Sequence, residues 1–404
     1  MHLIRFLSHA DWLSRRRVIA YGVIYLLAEI VVLVLPTLQH WWETGAIQSL
    51  GPTDFLAFYA SGYIADTTAA PQIYDISTSL KTQAMLLGEQ QSQPWEFFFL
   101  YPPVFILICT AFPLVSYTAA YFAWNTATLT FLASTLRAMT RGWGITLALL
   151  SFPAIFLTIS IGQNALLTAA LFGAGACLLE TSPIAAGCLL GAICYKPNYF
   201  LVVPVALLAG RQWRALAALC LTVGGLIAAT IVAFGWATWE AYFGFSHFVM
   251  QHSFEGSWGF WVYASWFASV RLAGGPPWLA TLAQGLGIAG AEIITAIIWY
   301  RSSNPAVRAA TLAAATIVAA PVMVSYDLTL AVVATAWIIR DARRTGYLPW
   351  EKAFLGLSWV VAQLDGNFQQ IIRFPLMPII GIGLLVFSAL RSARPEPHPP
   401  CPAR

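Results

Sequence analysis

Gly51-Pro52-Thr53-Asp54-Phe55-Leu56-Ala57-Phe58-Tyr59 opens the one long segment that interrupts the hydrophobic runs of this chain, and Tyr101-Pro102-Pro103 closes it. Between residues 39 and 99, six carboxylates (Glu43, Asp54, Asp66, Asp75, Glu89 and Glu96) stand against a single lysine, Lys81. That local balance of −5 sits in a chain whose formal total is +4, so acid is concentrated on one face of the molecule. Asp54 leads straight into an apolar run, which puts it at the membrane surface rather than in open solvent. Either Thr53 or Asp54 can cap a short helix running to about Ala65. The aromatic residues of that helix (Phe55, Phe58, Tyr59, Tyr63) suit a position in the interface. A second short helix, with Ser77 or Thr78 near its start, is expected to end near Leu87. Trp95 and Phe97 to Phe99 then return the chain to the bilayer as an aromatic belt.

Outward from this segment the chain is mostly apolar. With 59% hydrophobic and 9% charged residues it falls far from soluble domains, about a quarter of whose residues are charged. Arg15-Arg16-Arg17 precedes an apolar run from Val18 to Leu38, long enough to span and followed by no small-x-small cleavage site. It reads as an uncleaved first helix with a cytoplasmic N-terminus. After Tyr101, thirteen apolar runs follow, several shorter than a spanning helix needs. Half-length helices are tolerated in a membrane only where they pack in protein or line a wet cavity. Arg211/Arg214, Arg301/Arg308, Arg340 to Arg344 and Arg391/Arg394 all fall on the cytoplasmic side by the positive-inside rule. The turns at 236–258, 323–327 and 365–373 then share the side of Asp54. Between 101 and 210 the charge pattern does not fix the topology.

The expected fold is therefore an all-α polytopic membrane protein: one transmembrane domain over residues 1–390, short interfacial helices in its first outer loop (39–99), and a proline-rich disordered cytoplasmic tail at 391–404. Four cysteines lie inside apolar runs and none has metal-ligand spacing, so neither a disulfide framework nor a zinc site is indicated. No cofactor is implied; the acidic segment is compatible with a divalent cation, but no spacing demands one. A P-loop, a GxGxxG in a strand–helix context and HExxH are missing, and so is a DxD motif, whose lack argues against a soluble nucleotide-sugar donor.

Polar residues at membrane depth are costly, and each is weighed for chemistry. Asp54 is an N-cap candidate and a candidate base, and the two roles are compatible. Gly162-Gln163-Asn164 breaks two apolar runs; its amides serve a plain turn or the recognition of sugar hydroxyls. Lys196, in Tyr195-Lys196-Pro197-Asn198, is a snorkelling helix-end lysine or an ammonium left free for a phosphate by the proline break. His247 and His252 lie in the aromatic loop Gly244–Ser253, solvated or set to hold an acceptor or a leaving phosphate. Asp327, in Ser325-Tyr326-Asp327, caps a helix, pairs with a base or takes part in the site. Arg373, near Asp365 and Asn367, is a second phosphate candidate.

Together, Asp54-Phe55 with Tyr59 downstream, Ile73-Tyr74-Asp75, Tyr101-Pro102-Pro103, Gly162-Gln163, Lys196-Pro197 followed by Arg211-x-Trp213-Arg214, and Tyr326-Asp327-Leu328 resemble glycosyltransferase family 87 of the polyprenyl-phosphate-dependent GT-C superfamily. Each element is weak alone, and the ordered set is fairly specific. The resemblance implies a GT-C bundle of about 11–13 transmembrane helices in the inner (plasma) membrane, with both termini cytoplasmic and the active site at the outer face. It implies transfer of a sugar, often mannose, from a polyprenyl phosphate to a hydroxyl of a lipid-linked or polymeric acceptor. By the same resemblance Asp54 matches the general base of the superfamily. Lys196, His247, His252 and Arg373 are then the candidates for the donor phosphate, and Tyr59, Tyr101, Gln163, Asn164 and Asp327 for substrate contacts. The rival readings are a transporter or flippase of lipid-linked sugars, which would favour internal repeats, and a polymer ligase, which would carry a large arginine-bearing loop late in the chain.

Overall fold

A computed structural model of the chain describes residues 2–44, 53–87, 97–257, 259–260, 263–364, 371 and 376–394. It is all-helical: among the described residues the only bridge is an isolated pairing of Tyr263 with Val324. The first apolar run lies within a 30-residue helix, Arg15–Thr44. Among the described residues two helices, Trp213–Phe234 and Pro277–Arg301, are long and apolar enough to cross a membrane. A third span is formed if Trp143–Leu150 and Pro153–Ile161 are counted as one helix bent by 62°. Pro153 accounts for that bend, because its ring cannot follow in an unbroken helix.

Burial divides these helices sharply. Pro305–Ala319 and Thr329–Thr345 are buried on nearly every face and form the centre of the molecule. A helix apolar all round has no solvent face and must be enclosed. Trp213–Phe234 and Pro277–Arg301 do the opposite, leaving Leu221, Val232, Leu286 and Ile293 on the outside. Apolar side chains in such numbers on the outer helices suit a hydrocarbon surround. The shorter apolar runs become short helices (Ala165–Leu178, Pro183–Gly191, Val203–Ala209) packed in between.

The Asp54–Thr67 helix buries Phe55 to Gly62 within the protein, with Phe55 against Phe112, Tyr117 and Tyr121. Two sequence expectations change. The expected loop containing His247 and His252 is a 20-residue helix, Trp236–Glu255, since no proline interrupts it and its aromatics pack on Tyr74. The last helix runs through Ser392, so the chain does not loosen at Arg391. The Arg391 guanidinium is buried instead, bound to Glu351 through Nε (2.6 Å) and Nη2 (2.5 Å) and to Asp341 through Nη1 (2.5 Å). Two carboxylates inside the protein need a cation, and Arg391 supplies it. Residues 395–404 of the expected tail lie outside the described residues.

The second loop helix, Ile76–Leu87, begins where expected, but its cap is Asp75, whose Oδ1 accepts from the Thr78 amide and the Ser77 hydroxyl, both at 2.8 Å. Those bonds hold the Asp75 carboxyl below its ordinary pKa. The central helix Thr329–Thr345 gives the molecule a scale. At about 1.5 Å per residue, the 14 positions from Asp327, just before its first turn, to Asp341, near its other end, span about 20 Å.

Candidate active site

Thr53 has extended backbone before the Asp54–Thr67 helix, but its hydroxyl does not cap it; it meets the Tyr117 hydroxyl at 3.1 Å. Asp54 does not cap it either. As the first helical residue its carboxylate leaves the helix and accepts from Gln163 Nε2 at 2.9 Å through Oδ2. The N-cap reading of Asp54 is thereby replaced by a tertiary contact, with the helix N-terminus still favouring its negative charge by about 0.3–1 kcal/mol. Among the described residues no cation pairs with Asp54, and its Oδ1 has no hydrogen-bond partner. Burial pushes the carboxyl above its ordinary pKa, an effect that the Gln163 bond only partly offsets.

The position of Gln163 follows from how the helix before it ends. Pro153–Ile161 terminates at Gly162 in the left-handed region (φ 69°), and the Gln163 amide turns back to the Thr158 carbonyl at 3.0 Å. Any side chain at Gly162 would be strained there, and a Cβ would also lie 2.6 Å from Phe55 Cβ and 3.0 Å from the Tyr121 ring. Glycine thus lets the break come right up against the Asp54 helix. The orientation of the Gln163 amide is fixed as well. Its Oε1 accepts from the Asn164 backbone N–H at 3.1 Å and from the Tyr101 hydroxyl at 2.9 Å. A backbone N–H can only donate, so the atom facing it is oxygen, and Nε2 is left to donate to Asp54. Tyr101 is held by Pro102-Pro103 and by the Tyr74 hydroxyl, which donates to its carbonyl at 2.8 Å.

A second charged group lies beside the first. Lys196 interrupts the chain before Pro197, where helical backbone is disfavoured, and its Nζ is 2.6 Å from Asp327 Oδ1. Both side chains are buried. Asp327 Oδ2 also accepts from the Val324 amide at 3.3 Å, and the rings of Tyr199 and Tyr326 flank the ammonium at 5.3 and 5.5 Å. Of the two readings of Lys196, the free ammonium gives way to a buried ion pair, and Asp327 both pairs with this base and accepts from the Val324 amide at the start of the Ser325–Leu328 turn. The two groups share supports. Thr158, whose carbonyl holds Gln163, meets the Thr329 hydroxyl at 3.2 Å, and Thr329 donates to the Tyr326 carbonyl at 2.8 Å. Tyr326 lies within electrostatic reach of Asp54, Asp327, Tyr101 and Tyr199 at once.

Beside these groups sits Asn164, fully buried, with neither end of its side-chain amide making a hydrogen bond of normal length among the described residues, although the Tyr101 hydroxyl lies next to it. The buried hydroxyl of Tyr199, facing Asp327, is likewise without one among the described residues. Buried polar atoms without partners cost about 1–3 kcal/mol each, so these atoms hold hydrogen-bonding capacity that a polar group could use.

The structure thus gathers Asp54, Tyr101, Gln163, Asn164, Lys196 and Asp327. It does not bring in Tyr59, whose hydroxyl donates to the Val115 carbonyl at 2.9 Å and whose ring packs on Tyr117. His247 is exposed on the Trp236–Glu255 helix, and His252 Nδ1 lies 2.9 Å from the Phe248 carbonyl on the same helix. That helix packs on the Ala70–Tyr74 turn of the first loop. Arg373 lies outside the described residues, as do Asp365 and Asn367. Tyr195, Tyr199, Tyr326 and Thr158 belong to the neighbourhood without having been nominated. The flanking of Lys196-Pro197 by Tyr195 and Tyr199 was the available signal, because aromatic faces around a buried ammonium lower its desolvation cost.

Among known proteins, the family model of glycosyltransferase family 87 matches residues 99–325, more than half of the chain. The match starts after Asp54 and stops just short of Tyr326. No curated protein and no solved structure matches.

Proposed function

We propose, from the premise that this chain belongs to glycosyltransferase family 87, that it transfers a sugar from a polyprenyl-phosphate donor to an acceptor hydroxyl, with Asp54 as general base. The observation that carries this reading is Asp54 itself: a half-buried carboxylate with no cation, one oxygen held by Gln163 and the other unengaged among the described residues. A carboxyl made more basic by burial and left with a vacant oxygen is suited to take a proton. In the step, Oδ1 accepts the hydroxyl proton as the acceptor oxygen bonds to the anomeric carbon. The bond from that carbon to the phosphate oxygen breaks, and the electron pair leaves with the lipid phosphate. A single displacement inverts the anomeric centre and needs no covalent enzyme intermediate.

Asn164, Tyr101 and Tyr199 would meet sugar hydroxyls, being the buried groups with unspent hydrogen-bonding capacity. Lys196 would turn part of its charge to the departing phosphate, with Asp327 fixing its position, and His247, His252 and Arg373 are further candidates for that phosphate. The setting we infer is a GT-C bundle of about 11–13 spans, one domain over residues 1–390, with the site at the outer face of the inner membrane and both termini cytoplasmic. Mannose or another hexose or pentose is the sugar class, and a lipid-linked or polymeric glycan is the acceptor. Incubating the purified protein with a panel of polyprenyl-phosphate sugars and measuring release of free polyprenyl phosphate tests the reading. Movement of donor across sealed vesicles without a new glycosidic bond would instead mark a transporter.

A further inference from the structure

At the far end of the helix that leads to Asp327 lies a second polar site. Arg308 sits in the first turn of Pro305–Ala319, and the 11 residues from there to Ala319 span about 17 Å at 1.5 Å each, which separates it from the Lys196–Asp327 pair. Arg308 and Arg211, with Ala209, Gly210, Trp299 and Tyr300, line a cavity of about 310 Å³. That volume is at the lower end of the about 300–1,000 Å³ typical of small-molecule sites, enough for a headgroup and too small for a whole lipid.

The walls are built rather than incidental. Arg308 Nη2 donates to the Trp299 carbonyl at 2.8 Å, the Trp299 indole N–H donates back to the Arg308 carbonyl at 3.0 Å, and the guanidinium lies over the indole ring at 5.8 Å. These contacts fix the side chain, yet its buried Nε–H has no hydrogen-bond partner among the described residues. Arg211 approaches from the other wall, its guanidinium 5.7 Å from the centre of the Tyr300 ring. Gly210 forms part of the floor, where a Cβ would lie 2.6 Å from the Trp299 ring. Glu180 is within electrostatic reach of Arg308 but makes no ion pair with it among the described residues. Two guanidinium groups against one carboxylate leave the site at +1.

We propose that this cavity binds the phosphodiester headgroup of an anionic phospholipid. Guanidinium groups match phosphate oxygens in charge and in forked geometry. The surroundings favour a lipid over free phosphate: Tyr300 lines the cavity and is exposed, and Leu208, Trp213 and Ile297, within three residues in sequence of lining residues, are exposed too, an aromatic and aliphatic surface against which acyl chains and the interfacial region can lie. The site is independent of Asp54, and it gives a role to Arg211, which the transfer reaction leaves unused.

The test is native mass spectrometry of the full-length protein in detergent, titrated in turn with phosphatidylglycerol, phosphatidylcholine and inorganic phosphate, with melting temperature followed alongside. The expected result is one saturable phosphatidylglycerol, bound at least tenfold tighter than phosphatidylcholine and raising the melting temperature, while inorganic phosphate does neither. Arg308→Gln and Arg211→Gln should each weaken that binding tenfold or more, and Arg16→Gln, an exposed arginine elsewhere, should not. Since Arg308 also braces Trp299 and its variant can fail to fold, Arg211→Gln, on an exposed side chain, decides the matter alone. Equal retention of the two lipids, or full phosphatidylglycerol binding by folded Arg211→Gln, overturns the proposal. Inorganic phosphate binding as tightly as phosphatidylglycerol overturns the lipid assignment.

Discussion

Replacing Asp54 with asparagine separates chemistry from architecture. The asparagine side-chain oxygen can still accept from Gln163 Nε2, so the 2.9 Å contact and the Tyr101–Gln163–Asn164 chain behind it persist. What disappears is the capacity to take a proton, which is worth about 10²–10⁴-fold in rate, or about 3–5 kcal/mol of barrier. Stability should move the other way. Burial raises the folded-state pKa of the Asp54 carboxyl. An acid shifted in that direction stabilises the fold only while protonated, and the contribution is lost as pH rises through the folded-state value. At neutral pH the wild-type protein therefore carries a desolvation cost that asparagine lacks, and D54N should melt at or above the wild-type temperature. The transfer rate of the wild type should fall as pH drops through the raised Asp54 pKa, and D54N should lose that acidic limb. Initial rates of polyprenyl phosphate release from pH 4 to 8, with melting curves for both proteins, read all of this. Turnover by D54N within threefold of wild type, or a D54N protein that melts well below it, would refute the reasoning.

The buried Lys196–Asp327 pair predicts strong non-additivity. Lys196→Met or Asp327→Leu alone should cost about 3–5 kcal/mol by stranding a buried charge, while the double variant regains most of that in a denaturant or thermal series yet stays inactive. Gly162→Ala should destabilise the protein by more than 1 kcal/mol and reduce activity, because both the φ of 69° and the Phe55 contact oppose a side chain; a melting temperature equal to wild type would contradict this. Arg391→Met should cost about 3–5 kcal/mol at neutral pH by leaving Asp341 and Glu351 uncompensated, and adding Glu351→Gln should recover part of it in the same melting assay.

What the chain reveals of itself is set by how local the signal is. Asp54 and Gly162-Gln163-Asn164 stand out because polar residues interrupt apolar runs, and the structure brings the two together. Their contact, across 109 residues, has no local trace. The same holds for Lys196 and Asp327, 131 positions apart: proline after the lysine marks a break, but nothing nearby says that a carboxylate already occupies the ammonium. Arg391 looks like the start of a tail because its partners, Asp341 and Glu351, lie 50 and 40 residues upstream. The Trp236–Glu255 helix was hidden by Gly244 and its serines and histidines, which suit a loop; aromatic packing of Tyr242 and Phe245 on Tyr74 outweighs that preference. Capping at Thr53 failed for a similar reason, since Tyr117 offers its hydroxyl a tertiary partner that no helix rule anticipates.

The central claim is the formation of a glycosidic bond at Asp54 with departure of a lipid phosphate. Its most direct measurement is the product of one turnover: purified protein in nanodiscs with a polyprenyl-phosphate sugar and a glycan acceptor, followed by NMR of the new anomeric centre and quantitation of the released lipid phosphate. The account predicts one polyprenyl phosphate released per glycoside formed, with the anomeric configuration inverted. A retained configuration, or donor consumed with no glycoside formed, would contradict it.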